Sequence, residues 1–178
     1  ISRKFKVIKN KLLKKNYNFT KKIAILGGST TFHIKEYLEF FLLNEGLKPV
    51  FYESEFSSYF EESVFENKKL KKFKPDIIVL DYLNLLASTY GNNSYERVKS
   101  ISEQVRAMSY TFECPIISAT QVNRTGYGNN AGGPGLEAIG ESYGLGATAD
   151  VIVSIWRTEE DEGSAPPKTR KRLTREEL

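Results

Sequence analysis

The sequence holds one cysteine, one histidine, one tryptophan and one methionine among 178 residues. A lone cysteine, Cys114, excludes an internal disulfide, and with His33 it falls short of the four ligands of a structural zinc site. No apolar run approaches the ~20 residues needed to span a bilayer, which excludes a transmembrane helix. The opening Ile-Ser-Arg-Lys-Phe-Lys lacks the apolar core of a secretory signal. No stretch reads Gly-x-x-x-x-Gly-Lys-[Ser/Thr], the loop whose amides and lysine cradle triphosphates. These absences point to an intracellular, cytoplasmic chain in a reducing setting, with no membrane partner and no structural metal.

Charge is present but segregated. Residues 1–22 carry nine Lys or Arg and no acid, residues 164–178 carry five basic and two acidic side chains, and the middle holds twelve basic against twenty acidic. Phosphate attraction needs positive charge gathered on one face. Basic ends around an acidic body therefore predict solvated termini and, at most, weak binding of nucleic acid.

The apolar pattern alternates helices with strands. Phe5, Val7, Ile8, Leu12 and Leu13 form a helix-like stripe inside the basic start. Lys22–Leu26 reads as a first strand ended by Gly27-Gly28. Thr31 is placed to cap a helix striped by Ile34, Tyr37, Leu38, Phe41 and Leu42, which Gly46 ends. Val50–Tyr52 is a second strand, residues 57–73 a short helix and turn, and Ile77–Asp81 a third strand. A long helix follows with Val98, Ile101, Val105, Met108 and Phe112, then strand four at Pro115–Ala119. Residues 125–135, with five glycines, form a loop. Leu136–Thr148 reads as helix and Asp150–Trp156 as strand five. Near-continuous apolar strands separated by helices imply a parallel sheet covered on both faces.

Two resemblances follow. Over about residues 1–78, Ile-Ala-Ile-Leu-Gly-Gly-Ser-Thr-Thr, Tyr-Leu-Glu-Phe-Phe-Leu-Leu-Asn-Glu-Gly-Leu-Lys-Pro, Phe-Tyr-Glu-Ser-Glu and Phe-Lys-Pro-Asp-Ile-Ile resemble the N-terminal domain of FkbH-type proteins of the haloacid-dehalogenase superfamily, a flavodoxin-like, SGNH-hydrolase-like unit. That family's phosphatase-like domain, with its paired aspartates, is absent. Over about 77–163, Ile-Val-Leu-Asp-Tyr-Leu-Asn-Leu-Leu, Ser-Ala-Thr-Gln-Val-Asn-Arg and Glu-Ser-Tyr-Gly-Leu-Gly-Ala-Thr-Ala-Asp are similar to DnaB-type replicative helicases of tailed phages, which have a RecA-like core. The two meet within one strand near 75–81, as an engineered hybrid would join them.

The helicase resemblance implies a Walker B role for Asp81, which would hold Mg²⁺ near a nucleotide. It also implies a catalytic glutamate near Glu53 and Glu55, nucleotide sensing at Gln121, and DNA contact at Arg124, with Arg157 placed similarly. Gly27, Gly28, Ser29 and Thr30 stand where a strand turns into a helix, so their amides suit an anion. Without the phosphate lysine, Asp81 is half a site and reads as vestigial. In SGNH-like hydrolases the serine at Ser29 is a nucleophile, but His33 is the only histidine and lies on the same helix, so no base is available.

The expectation is an α/β three-layer sandwich with a five-stranded parallel sheet in flavodoxin-like order 2-1-3-4-5. The helicase resemblance would instead insert strand four between strands one and three. Residues 1–160 should form one domain and 161–178 a charged, disordered tail or appended peptide. Function reads as a non-catalytic hybrid scaffold without cofactor. The alternative is a nucleotide-binding RecA-like module using Mg²⁺ and ATP. The oligomeric state is left open.

Overall fold

The computed structural model describes residues 3–27, 30–54, 67–83, 94–120, 143–155 and 169–174. The elements run α1 (Arg3–Leu12), β1 (Phe19–Gly27), α2 (Phe32–Asn44), β2 (Leu47–Glu53), α3 (Lys68–Phe73), β3 (Ile77–Asp81), α4 (Ser94–Phe112), β4 (Ile116–Ser118), α5 (Tyr143–Thr148), β5 (Val151–Ile155) and β6 (Thr169–Thr174). Two compact units result: residues 1–86 with 104–119, and residues 87–103 with 120–178.

The first unit is a four-stranded parallel sheet ordered β2-β1-β3-β4. β1 lies directly beside β3, with Ile23 opposite Ile77 and Gly27 opposite Asp81. This is the order implied by the N-terminal resemblance; strand four lies outside β3, not between it and β1. β1 is longer than its apolar run, because Phe19–Lys22 pair with Leu47–Val50 although all four are exposed. Pro49 sits within β2 without breaking the sheet, since β2 is an edge strand and needs no donor on its outer side.

Alternation along β1 assigns the faces. Ile23 and Ile25 pair with Phe51 and Glu53, and Lys35 of α2 stands over the Phe51 ring at 5.8 Å, so α2 covers that face. Lys22 and Ala24 point to the other, where Phe73 of α3 packs on Tyr52 at 5.6 Å. Among the described residues Ile25, Leu26, Leu70, Ile78 and Leu80 are the largest fully buried side chains, so the core of this unit lies on both faces of β1 and β3.

Helix packing departs from the expected stripes. Val7, Ile8 and Leu13 are exposed, while Lys9 is only 7% exposed. Its ammonium lies 2.6 Å from Glu36 Oε1 and also pairs with Glu39, tying α1 to α2. Phe5 stacks on Phe40 at 4.5 Å and meets Tyr37 edge-on. With α1 over one side of α2, Leu43 is buried and Phe41, expected inside, is exposed. Asn67 caps α3, accepting from the amides of Lys69 and Leu70, and Lys74 ends it in the left-handed region.

In the second unit, β5 pairs antiparallel with β6, not with the parallel sheet, and the pairing shifts register between Val153 and Ile155. Thr169–Thr174, expected in a charged tail that is either disordered or an appended peptide, is a strand; Arg172 pairs with Val153 and Leu173 with Ile152. Charge density hid this, because an antiparallel partner supplies backbone bonds whatever the side chains. Among the described residues no helix is long and apolar enough to cross a membrane.

Candidate functional site

Parallel strands deliver their carboxyl ends to one edge, the usual location of ligands in open α/β sheets. Here that edge carries Gly27, Glu53, Asp81 and the residues after Ser118. Gly27 and Asp81 are register partners. The turn after Gly27 leads to Thr30, Thr31 and the amino end of α2. At this end the backbone amides lack helical partners and attract negative charge.

Thr31 does not cap α2 with its side chain. Its hydroxyl donates instead to Glu53 Oε2 at 3.0 Å, and Lys35, one turn further on, donates to Glu53 Oε1 at 2.5 Å. Glu53 thus closes a three-residue bridge between β2 and α2. The Gly27 amide donates to Ser54 Oγ at 3.2 Å, and the Ser54 amide to the Ile25 carbonyl at 3.1 Å, which holds the end of β2 against the turn. Across the edge, Ser118 Oγ donates to the Leu80 carbonyl at 2.8 Å and the Leu83 amide to the Ala119 carbonyl at 3.2 Å, fixing the chain on either side of Asp81.

Of the residues singled out in the sequence, the structure brings Gly27 and Asp81 together and places Thr30, Thr31 and Glu53 at the same edge. His33 is exposed and stacks edge-on against Phe32 at 5.4 Å. Gly28, Ser29, Glu55, Gln121, Arg124 and Arg157 lie outside the described residues, as does the loop 125–135. Sequence reasoning missed Lys35 and Ser54. The four-residue spacing from Thr31 to Lys35 on one helix face was the available signal for the first; Ser54 became visible only through sheet pairing.

Among the described residues no group of three or more His, Cys, Asp or Glu side chains gathers as a metal cage. Magnesium beside a nucleotide does not require one, since one or two carboxylates plus substrate phosphates and water suffice. Asp81, at the end of β3, is one carboxylate at this edge. The phosphate side is incomplete: small hydroxyl residues and helix amides are present, while Lys35, one turn into α2, is paired with Glu53.

Residues 48–177 match the model of the DnaB-like helicase C terminal domain. The DnaB-like replicative helicase of Enterobacteria phage T4 is 38% identical over 103 residues, covering 55% of this chain and 21% of that protein. The replicative DNA helicase DnaB of Mycoplasma genitalium is 32% identical over 89 residues, covering 48% and 19%. The chain thus spans about a fifth of the length of these relatives. Among solved structures, a DnaB-like replicative helicase studied with its interactions with primase superposes with a TM-score of 0.54 at 16% identity, covering 88% of this chain and 49% of that one. The N-terminal part of protein BF1531 from Bacteroides fragilis, containing a phosphatase domain, gives 0.52 at 15%, covering 81% and 40%.

At such identities the structural likeness concerns fold alone, so the FkbH-type resemblance of the first half remains one of architecture. The helicase match begins at residue 48, takes in β2 and α3, and runs through the junction expected at 75–81. An engineered join inside β3 finds no support in this continuity. From Lys48 to Glu177 the chain belongs to the DnaB-like helicase C-terminal domain family.

Proposed function

We propose that the chain is a nucleotide-binding, RecA-like module of DnaB type that holds a nucleoside triphosphate with Mg²⁺ at the carboxyl edge of its parallel sheet and does not hydrolyse it alone. The observation that carries this reading is the pairing of Gly27 with Asp81, which sets a carboxylate beside the turn into α2. Asp81 would hold the ion through water, and the amides opening α2, with the Thr30 and Thr31 hydroxyls, would meet the phosphates. Bound Mg²⁺ supplies neutralisation of phosphate charge.

Hydrolysis needs more. Phosphoryl transfer depends on cation, metal and donors placed together, each worth a few kcal/mol in the transition state. Glu53 occupies Lys35, and no lysine stands at the loop. That same ion pair favours a second reading, a scaffold with no ligand.

Thermal melting with and without Mg-ATP separates the two. Ligand at 100 times its Kd adds about 2.7 kcal/mol of stability, so a clear rise in Tm is expected. No rise at millimolar Mg-ATP would leave the scaffold reading. A phosphate-release assay should show no turnover near ~1 s⁻¹.

A further inference from the structure

We propose that the chain phosphorylates itself once, on Thr31: its hydroxyl attacks the γ-phosphorus of a bound nucleoside triphosphate while Glu53 takes its proton. The proposal rests on the nucleotide reading above and gives that site an acceptor other than water.

The geometry is that of a nucleophile, a base and a group that orients the base. Thr31 Oγ1 donates to Glu53 Oε2 at 3.0 Å, within the reach a general base needs. Lys35 holds the other carboxylate oxygen at 2.5 Å. A threonine opening a helix ordinarily accepts from the helix amides, but Thr31 makes no such bond. Its hydroxyl proton points at the base instead. The base comes from β2 and the nucleophile from the start of α2, so sheet pairing sets their distance. The end of β2 is itself pinned, because Ser54 accepts from the Gly27 amide and donates its own amide to the Ile25 carbonyl.

The same contacts disfavour water as the acceptor. Both oxygens of Glu53 are engaged, one by Thr31 and one by Lys35, and Asp81 is committed to the ion. A hydroxyl fixed beside its base has an effective concentration that can reach ~10⁵ M, which bulk water does not match. One slow transfer per chain therefore remains within reach where repeated hydrolysis does not.

The step balances. A bond forms between Thr31 Oγ1 and the γ-phosphorus, and the bond from that phosphorus to the bridging oxygen breaks. The electron pair leaves with the nucleoside diphosphate, and Glu53 passes the proton to water. The product places a phosphate at the positive end of α2, with Lys35 one turn further along the same helix. Lys35 then exchanges the carboxylate for the phosphate.

The test incubates the full chain with Mg-ATP and follows intact mass, with fragment mass spectra locating the phosphate. The native chain should gain one phosphate, on Thr31, with a rate constant independent of chain concentration. T31V should gain none, and T31S, which keeps a hydroxyl, should be labelled. E53Q should bind Mg-ATP by thermal shift and be labelled at least about 100-fold more slowly. Circular dichroism verifies folding of each variant. A native chain that binds Mg-ATP and stays unlabelled, or carries its phosphate elsewhere, overturns the proposal and leaves the nucleotide reading standing. So does a rate constant that rises with chain concentration, or E53Q labelled at the native rate. No rise in Tm with Mg-ATP in the native chain removes both.

Discussion

Gly27 and Asp81 stand opposite each other at the ends of two adjacent parallel strands, so one edge of the sheet presents a turn into a helix and a carboxylate side by side. The helicase-type arrangement expected from the second resemblance would separate these strands by a third. Their direct contact means that a ligand bridging turn and carboxylate spans one strand spacing, about 4.8 Å.

Asp81→Ala should abolish the Mg-ATP-dependent rise in Tm while leaving the ligand-free Tm nearly unchanged. Asp81 is half-buried at a strand end, and substitutions away from buried networks usually stay within about 0.5 kcal/mol. Differential scanning fluorimetry with and without Mg-ATP reads both values. A variant that keeps the full shift removes Asp81 from the site.

Glu53→Gln should tighten triphosphate binding up to about fivefold. The change frees Lys35 from an exposed pair worth ~0.2–1 kcal/mol and removes a carboxylate near the phosphates. Isothermal titration with a non-hydrolysable triphosphate measures it. Weaker binding would mean that Glu53 positions the ligand and does not oppose it.

Lys9→Met should destabilise the fold by about 2 kcal/mol, less than the ~3–5 kcal/mol of a fully buried broken pair because Glu36 and Glu39 keep some contact with water. Burial pulls the Lys9 pKa down, but the hydrogen bonds and charges of Glu36 and Glu39 outweigh it and the net shift is upward. A raised folded-state pKa gives stability that is complete below the unfolded value of about 10.4 and lost as pH climbs through the folded one. Urea unfolding of the native chain should therefore weaken above about pH 10.4, and that alkaline loss should be smaller in Lys9→Met.

Cys114 should resist thiol reagents in the native state. Burial pushes its pKa up and the nearby Asp76 charge adds to the shift, so the reactive thiolate is scarce at neutral pH. Ellman's reagent should label it slowly in buffer and quickly in urea. Fast native labelling would show that the segment before β4 opens readily.

The sequence by itself determined the elements whose signal is local. Ile77–Asp81 is a strand because five residues alternate no polarity until the final carboxylate, and Gly46 ends α2 at a φ of +81° that suits a residue without Cβ. Of the expected order 2-1-3-4-5, the sheet carries 2-1-3-4, the first three strands legible through one family-like run, while strand five pairs with β6 instead. Tertiary structure decided the rest. Lys9 looks like a solvated charge until α2 brings Glu36 and Glu39 to it, and Phe41 looks like core until α1 takes the other side of the helix. Thr31 carries the residue type of a cap, yet its hydroxyl accepts from no amide of α2 and donates to Glu53 of β2. Thr169–Thr174 is a strand because β5 pairs with it. In each case the deciding partner lies far along the chain, and the free energy of a pair depends on the distance between its members, which pairing and packing set and local spacing does not.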